Sequence, residues 1–451
     1  MNRLLDTRLQ TILLTGSLFL IYIFSMLTLS DYIDVIGSKV FSSDPLMDFQ
    51  LSLILYWLFG LIFIFFPINH KTKSVIVYAY IFRFIFLHTI TIGYLFLYSS
   101  DKGFSVISLD EMIYFIRGFT LGSEEFGYVG SGLITRINYI FTQFLPINFF
   151  LYRALFGLLS FAGIILIWRA ISEYYEDKFY PLLLLLLFFP SVTFWSLNMG
   201  KEPVILIGLG IYLLGHFRLL KNLTLQSLLI TMAGLMIIGI VRPWVVLILA
   251  PGLAISFLGT PKITKSTKLF LISSAFVLLP FILSTIVSLV IRGDTSDIQN
   301  QETYLQTLFS IVNKFISEGT TTDVVNNPLV MASEVRQISS ITDLINPWRI
   351  FSAIFRPFPG EAGGAIGIVV GLESMFLLII SIITLVKFFL KKVRMDMVSW
   401  ILLSHILFWG ILYGAILDFN WGYLFRQKVI VLPFVLSFIF IIHNKSSKMI
   451  N

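Results

Sequence analysis

Residues 149–171 read FFLYRALFGLLSFAGIILIWRAI. Crossing the ~30 Å hydrocarbon core of a membrane takes about 20 mainly apolar residues in a helix. This run is long enough, and its two charges, Arg153 and Arg169, sit near its ends. Eleven other segments qualify or nearly do: about 11–29, 51–67, 74–98, 181–198, 203–217, 225–241, 243–258, 269–291, 363–390, 398–417 and 428–443. The pairs 181–198/203–217 and 225–241/243–258 are short. Each reads either as two spans with a tight turn or as one broken helix.

Composition agrees. The 451 residues are 57% hydrophobic and 13% charged, with a mean hydropathy of +0.90. Soluble proteins carry about 25% charged residues. A soluble core cannot absorb this much apolar surface, so a soluble globular enzyme is excluded. A disordered chain would need low hydrophobicity and high net charge. The 45 Phe, 18 Tyr and 8 Trp suit lipid-facing helices with aromatic residues at the interfaces. There is no Cys, which removes disulfides, thiolate metal ligands and a cysteine nucleophile. Arg3 and Arg8 precede the first apolar run, which is too long for a signal peptide and lacks a small-residue cleavage site. It is expected to be a retained helix.

The net charge of +7 is explained by topology. With the N-terminus in the cytoplasm, the inner loops of twelve spans hold 17 basic and 5 acidic residues; the rest of the chain holds 15 basic and 20 acidic. Every inner loop is then basic, as the positive-inside rule requires. A nucleic-acid partner is not needed to explain the basic runs. The expected fold is all-α: one integral membrane domain over 1–451, a polytopic transmembrane helix bundle of about 12 spans. Both termini are cytoplasmic, and two long outer loops, about 99–148 and 292–360, carry amphipathic helices. Helical patterns are expected at 110–119, 133–144 and 304–316. Gly363, Gly367 and Gly371 form a small-residue ladder entering the tenth span. Such ladders let backbones approach closely, and packing within the chain is the expected use.

Polar residues cluster at the outer boundary of this arrangement. Asp110 and Glu111 open the first large loop. Lys201 and Glu202 lie in SLNMGKEP, Arg242 in GIVRPW, Arg356 and Glu361 in IFRPFPGEAGG, and Asp418, Asn420 and Arg426 in LDFNWGYLFRQK. Charges near lipid are costly and tend to pair or to line a wet cavity. Arginine's planar fork binds phosphate oxygens bidentately, so Arg242, Arg356, Arg426 and Lys201, with Glu202 beside them, suit a phosphate or pyrophosphate site. Asp110, with Glu111 as neighbour or accessory, suits a general base. Taken one at a time, an Arg–Pro is more often a snorkelling helix end, Lys201–Glu202 a surface pair, and Asp110–Glu111 a helix cap; co-location is what favours a site. Deeper in the spans, Arg83 and Glu373 suit a structural ion pair, and His88 and His405 core positions, although a proton-coupled carrier would use similar residues. No His/Asp/Glu set has metal-ligand spacing, and a divalent ion beside the acidic pair is left open.

With these residues in hand, the chain resembles bacterial GT-C-type membrane glycosyltransferases of envelope polysaccharide synthesis. The likeness rests on Asp110-Glu111-Met112-Ile113-Tyr114, of the form D-E-x-x-Y, and on the Arg153 span that follows. It rests also on FPSVTFWSLNMGKEPVILIGLGIYLLG, FRPFPGEA and NWGYLFRQKVIVLPFVL. Lipid-linked oligosaccharide (O-antigen-type) polymerases match the last stretch equally well. Three spans precede the acidic motif, where the transferases usually have one, which weighs toward a polymerase-like relative. The resemblance implies glycosyl transfer at the outer face of the cytoplasmic (inner) membrane. The donor would be a polyprenyl-(pyro)phosphate-linked sugar and the acceptor a glycan or lipid-linked glycan. A flippase for lipid-linked glycans is the alternative from another class.

Overall fold

The computed structural model describes residues 2–29, 44–65, 70–97, 109–120, 130–177, 179–259, 346–361, 364–416 and 421–448. These residues are 89% helical, with no strand among them. In chain order the helices are α1 (Asn2–Leu29), α2 (Pro45–Phe65), α3 (His70–Leu97), α4 (Leu109–Thr120), α5 (Ser131–Phe144), α6 (Phe149–Tyr175), α7 (Tyr180–Phe188), α8 (Pro190–Trp195), α9 (Lys201–Lys221), α10 (Leu225–Val241), α11 (Pro243–Gly259), α12 (Pro347–Phe355), α13 (Gly364–Leu390), α14 (Met397–Ile416) and α15 (Trp421–Lys448).

Eight of them are long and apolar enough to cross a membrane: α1, α2, α3, α6, α9, α13, α14 and α15. The molecule is therefore a multi-pass membrane protein. Helices α10 and α11 are shorter apolar helices of 17 residues each. The segment expected as one span at 181–198 is instead two short helices. Pro190 has no N–H to donate and pushes Phe189 into an extended conformation (φ −66°, ψ 123°), so α7 stops and α8 starts afresh. The span expected at 269–291 and the amphipathic helix at 304–316 lie outside the described residues. The two short helices expected after the third span are present as α4 and α5.

The chain divides into two compact units, one of residues 1–216 and 225–241, the other of 217–224 and 242–451. In the first unit α1 packs on α2 and α3, α2 on α6, and α4 on α5. Polar ties fix these contacts. Asp6 of α1 accepts hydrogen bonds from the Ser74 and Tyr78 hydroxyls of α3, and Tyr80 of α3 donates to the Tyr56 carbonyl of α2 (2.6 Å). Asn148 caps α6 by accepting from the Leu151 N–H and also donates to the Asp48 carbonyl of α2. Helices α6 and α9 cross at glycines. A Cβ on Gly163 would sit 2.5 Å from the Leu206 carbonyl, and one on Gly210 2.5 Å from the Gly163 oxygen.

In the second unit α11, α12 and α15 pack on α14, and α12 and α15 also touch α13. Of the predicted glycine ladder, Gly371 is pressed against the chain's own backbone at Phe358 and Pro359, where an added Cβ would meet Pro359 N at 2.6 Å. Packing within the chain thus accounts for that glycine. Gly363 lies outside the described residues. Apolar side chains on α1 and α13, such as Ile12, Leu20, Leu27, Ile368 and Phe389, face outward, as lipid contact requires.

Candidate functional site

In the first unit the polar chemistry gathers on the irregular segment between α8 and α9. Residues 196–200 are buried and not helical, so their backbone groups must be satisfied from elsewhere in the protein. Three helices contribute. Glu111 of α4 accepts the Met199 N–H. Arg153 of α6 donates to Asn198 Oδ1 (3.2 Å) and to the Thr91 hydroxyl of α3 (3.0 Å), and its Nε lies 3.8 Å from Glu111 Oε1. Arg83 of α3 donates to the Ser160 and Ser196 hydroxyls (3.1 and 2.6 Å), and Ser160 in turn donates to the Ser196 carbonyl (2.6 Å). Glu111 and Arg153 are 1% and 3% exposed. A carboxylate so enclosed, bonded to a backbone N–H and beside a guanidinium, is built to hold a loop in place. Glu202, in the first turn of α9, is buried next to this segment in the chain, and Lys201 is half-buried.

In the second unit the chemistry gathers on the start of α15. Arg242, at the head of α11, donates to Gln427 Oε1. The same oxygen accepts from the Tyr413 hydroxyl (3.2 Å), which accepts from the Trp244 indole (3.0 Å). One residue on, Lys428 donates to the Arg356 carbonyl and to the Ser374 hydroxyl. Arg349 of α12 is buried, and its carbonyl presses on α14 at Gly414, next to Tyr413. Arg242, Arg349, Arg426 and Lys428 are all at most 9% exposed. Of these, Arg426 and Lys428 belong to the start of α15, Arg242 reaches it through Gln427, and Glu373 lies within electrostatic range of Lys428.

Arg356 has a carboxylate of its own. Gly360, at φ 93°, turns the chain back so that Glu361 meets the guanidinium: Nε is 3.0 Å from both carboxylate oxygens, and Nη2 is 2.6 Å from Oε1. The Phe358 N–H also donates to Glu361 (2.7 Å). Partial burial would raise the Glu361 pKa. The hydrogen bonds from Arg356 and Phe358, with the guanidinium charge, outweigh that and hold it below its ordinary value. A depressed carboxyl pKa stabilises the closed loop above the unfolded-state value and loses that contribution as pH falls through the folded value. The protection factors against hydrogen exchange at 356–361 should therefore be high and flat from neutrality down to about pH 4.5, close to the free Glu value, and fall below that. Glu361→Gln should show fast exchange at every pH.

Comparison of the chain with family models, curated proteins and solved structures gives no match.

Of the residues singled out in the sequence, Arg242, Arg356 and Arg426 come together at the head of α15, Arg356 through its carbonyl. Glu111 is a buried loop clamp. Asp110 belongs to the first turn of α4, and its side chain is outside the described residues, as are Asp418 and Asn420. The expected partner of Arg83 was Glu373. Arg83 instead bonds two serines of its own unit, and Glu373 lies within electrostatic range of Lys428 in the other. His88 bonds the Phe84 carbonyl, and His405 packs edge-on against Phe434; both are core residues. The sequence reading did not single out Arg349, Lys428 or Gln427, nor give Arg153 a role. Arginines and a lysine within apolar helices were the available signal. Among the described residues no three His, Cys, Asp or Glu side chains group to hold a metal.

Proposed function

We propose that the protein transfers glycosyl groups from a polyprenyl-(pyro)phosphate-linked donor to a glycan or lipid-linked acceptor. The reaction would take place at the outer face of the cytoplasmic membrane, in surface polysaccharide synthesis. One observation carries this reading: Arg426 and Lys428 are enclosed near the start of α15, where Arg242 donates to Gln427 and Lys428 to the Arg356 carbonyl. That is the chemistry a lipid phosphate needs, and leaving-group charge would be stabilised there. Asp110 is assigned as the base that takes the proton of the acceptor hydroxyl, and Glu111 as the residue that fixes its helix. Lys201 and Glu202 remain substrate-binding assignments drawn from the sequence. Twelve spans with both termini inside belong to the same proposal, supported by the loop charges. The three candidate spans that precede α4 favour, as a second reading, a polymerase that joins whole repeat units.

The test is reconstitution of the purified chain in liposomes with a polyprenyl-linked sugar. Glycosidic product is expected. Asp110→Asn should lower turnover by roughly 10²–10⁴-fold, the usual weight of a positioned base, with unfolding temperature unchanged. Arg242→Met should weaken donor binding. Translocation of the lipid-linked sugar with no new bond would make the protein a carrier, and full turnover by Asp110→Asn would remove Asp110 as the base.

A further inference from the structure

The centre of the first unit holds a guanidinium that pairs with no carboxylate among the described residues. Arg83 is fully buried. Its Nη2 donates to Ser160 and Ser196, both of which direct their own protons to backbone carbonyls, at Gly157 and Ser196 for Ser160 and at Thr193 for Ser196. Its Nε and Nη1 have no hydrogen-bond partner among the described residues. The Phe161 ring lies 5.6 Å from the guanidinium carbon. The group that interacts with Arg83 electrostatically is Tyr56 of α2, itself 1% exposed. The Tyr56 ring stacks on Tyr80 (4.7 Å) and Phe84 (5.6 Å), and its hydroxyl also has no partner. Arg153, by contrast, has Glu111 at 3.8 Å. A lone buried cation is among the costliest arrangements a protein interior can hold.

Two guanidinium N–H groups and a phenol O–H, all enclosed and without partners among the described residues, make a lining rich in donors around one positive charge. Water would leave that charge unbalanced. A halide needs only donors and carries one negative charge. The surrounding rings of Phe161, Tyr80 and Phe84 suit a small, weakly hydrated ion rather than a phosphate. We infer that the first unit binds a single small monovalent anion of chloride type at Arg83 and Tyr56, as a structural ion within the membrane-embedded core.

The experiment is thermal unfolding of the full-length protein in detergent, with sodium chloride or bromide exchanged for sodium gluconate at constant ionic strength. A ligand that binds only the folded state raises the unfolding temperature saturably. The native chain should be stabilised by chloride and bromide and not by gluconate. Tyr56→Phe keeps the stacked ring and removes one donor, and should raise the half-saturating chloride concentration about tenfold, the weight of one hydrogen bond to a charged group. Arg83→Met should abolish the halide response. If Arg83→Met does not fold, the Tyr56→Phe titration decides by itself. Equal unfolding temperatures in chloride and gluconate for the native chain would overturn the assignment, and so would an unshifted half-saturation in Tyr56→Phe. The result is independent of glycosyl transfer.

Discussion

Arg153→Met is expected to prevent accumulation of a folded first unit. The substitution leaves Glu111 buried without its guanidinium neighbour and removes the donors that hold Asn198 and Thr91. Breaking a buried pair by deleting one partner costs about 3–5 kcal/mol, a large share of the 5–15 kcal/mol that holds a typical domain together. Glu111→Gln should also lower stability, because the buried Arg153 charge then loses its carboxylate, although an amide oxygen still accepts the Met199 N–H. The double variant should recover part of the loss seen with Arg153→Met alone. Size-exclusion profiles and unfolding temperatures of the three variants test this. Additive losses in the double variant would mean that the two residues act separately.

The second large effect is expected at the crossing of α6 and α9. Gly163→Val and Gly210→Val each place a side chain where backbone atoms of the other helix lie at 2.5 Å, closer than any relaxed contact. The obstruction is backbone rather than a flexible side-chain tip, so the helices must separate. Overpacking in a tight core costs about 1–3 kcal/mol and occasionally more. Here it would also shift the start of α9, which carries Lys201 and Glu202. Unfolding temperatures should fall markedly for both valines and hold or rise slightly for Gly16→Ala, whose added methyl has open space inside α1.

Much of the fold was legible because hydrocarbon imposes a simple rule on sequence. A long apolar run bounded by charge becomes a helix, and runs such as 51–67, 149–171 and 398–417 appear within a few residues of their predicted ends. The short amphipathic helices α4 and α5 were also visible, from apolar spacing alone. The break at Pro190 was harder to read. Proline inside an apolar run either kinks or stops a helix, and the partners of the freed backbone groups decide which. The residues that hold the irregular segment 196–200 beyond it, Glu111, Arg153 and Arg83, are distant in sequence. The same difficulty hid the role of Glu111: a D-E dipeptide at a helix start looks alike whether it meets a substrate or a backbone N–H. The gathering of Arg242 with the head of α15 was anticipated from residue type. Gln427, the neutral residue that joins them, carries no such signature.

The clamp on residues 196–200 also bears on how the chain is made. Glu111 enters the membrane region 88 residues before Met199, the group it bonds. At 5–20 residues per second, synthesis of that stretch takes roughly 4–18 s. Through that interval the Glu111 carboxylate lacks the Met199 N–H and Arg83 lacks Ser196, and Arg153, once made, lacks Asn198. The early helices must then be sheltered at the insertion machinery, and the emergence of Asn198 and Met199 would be the moment at which they are released together into lipid.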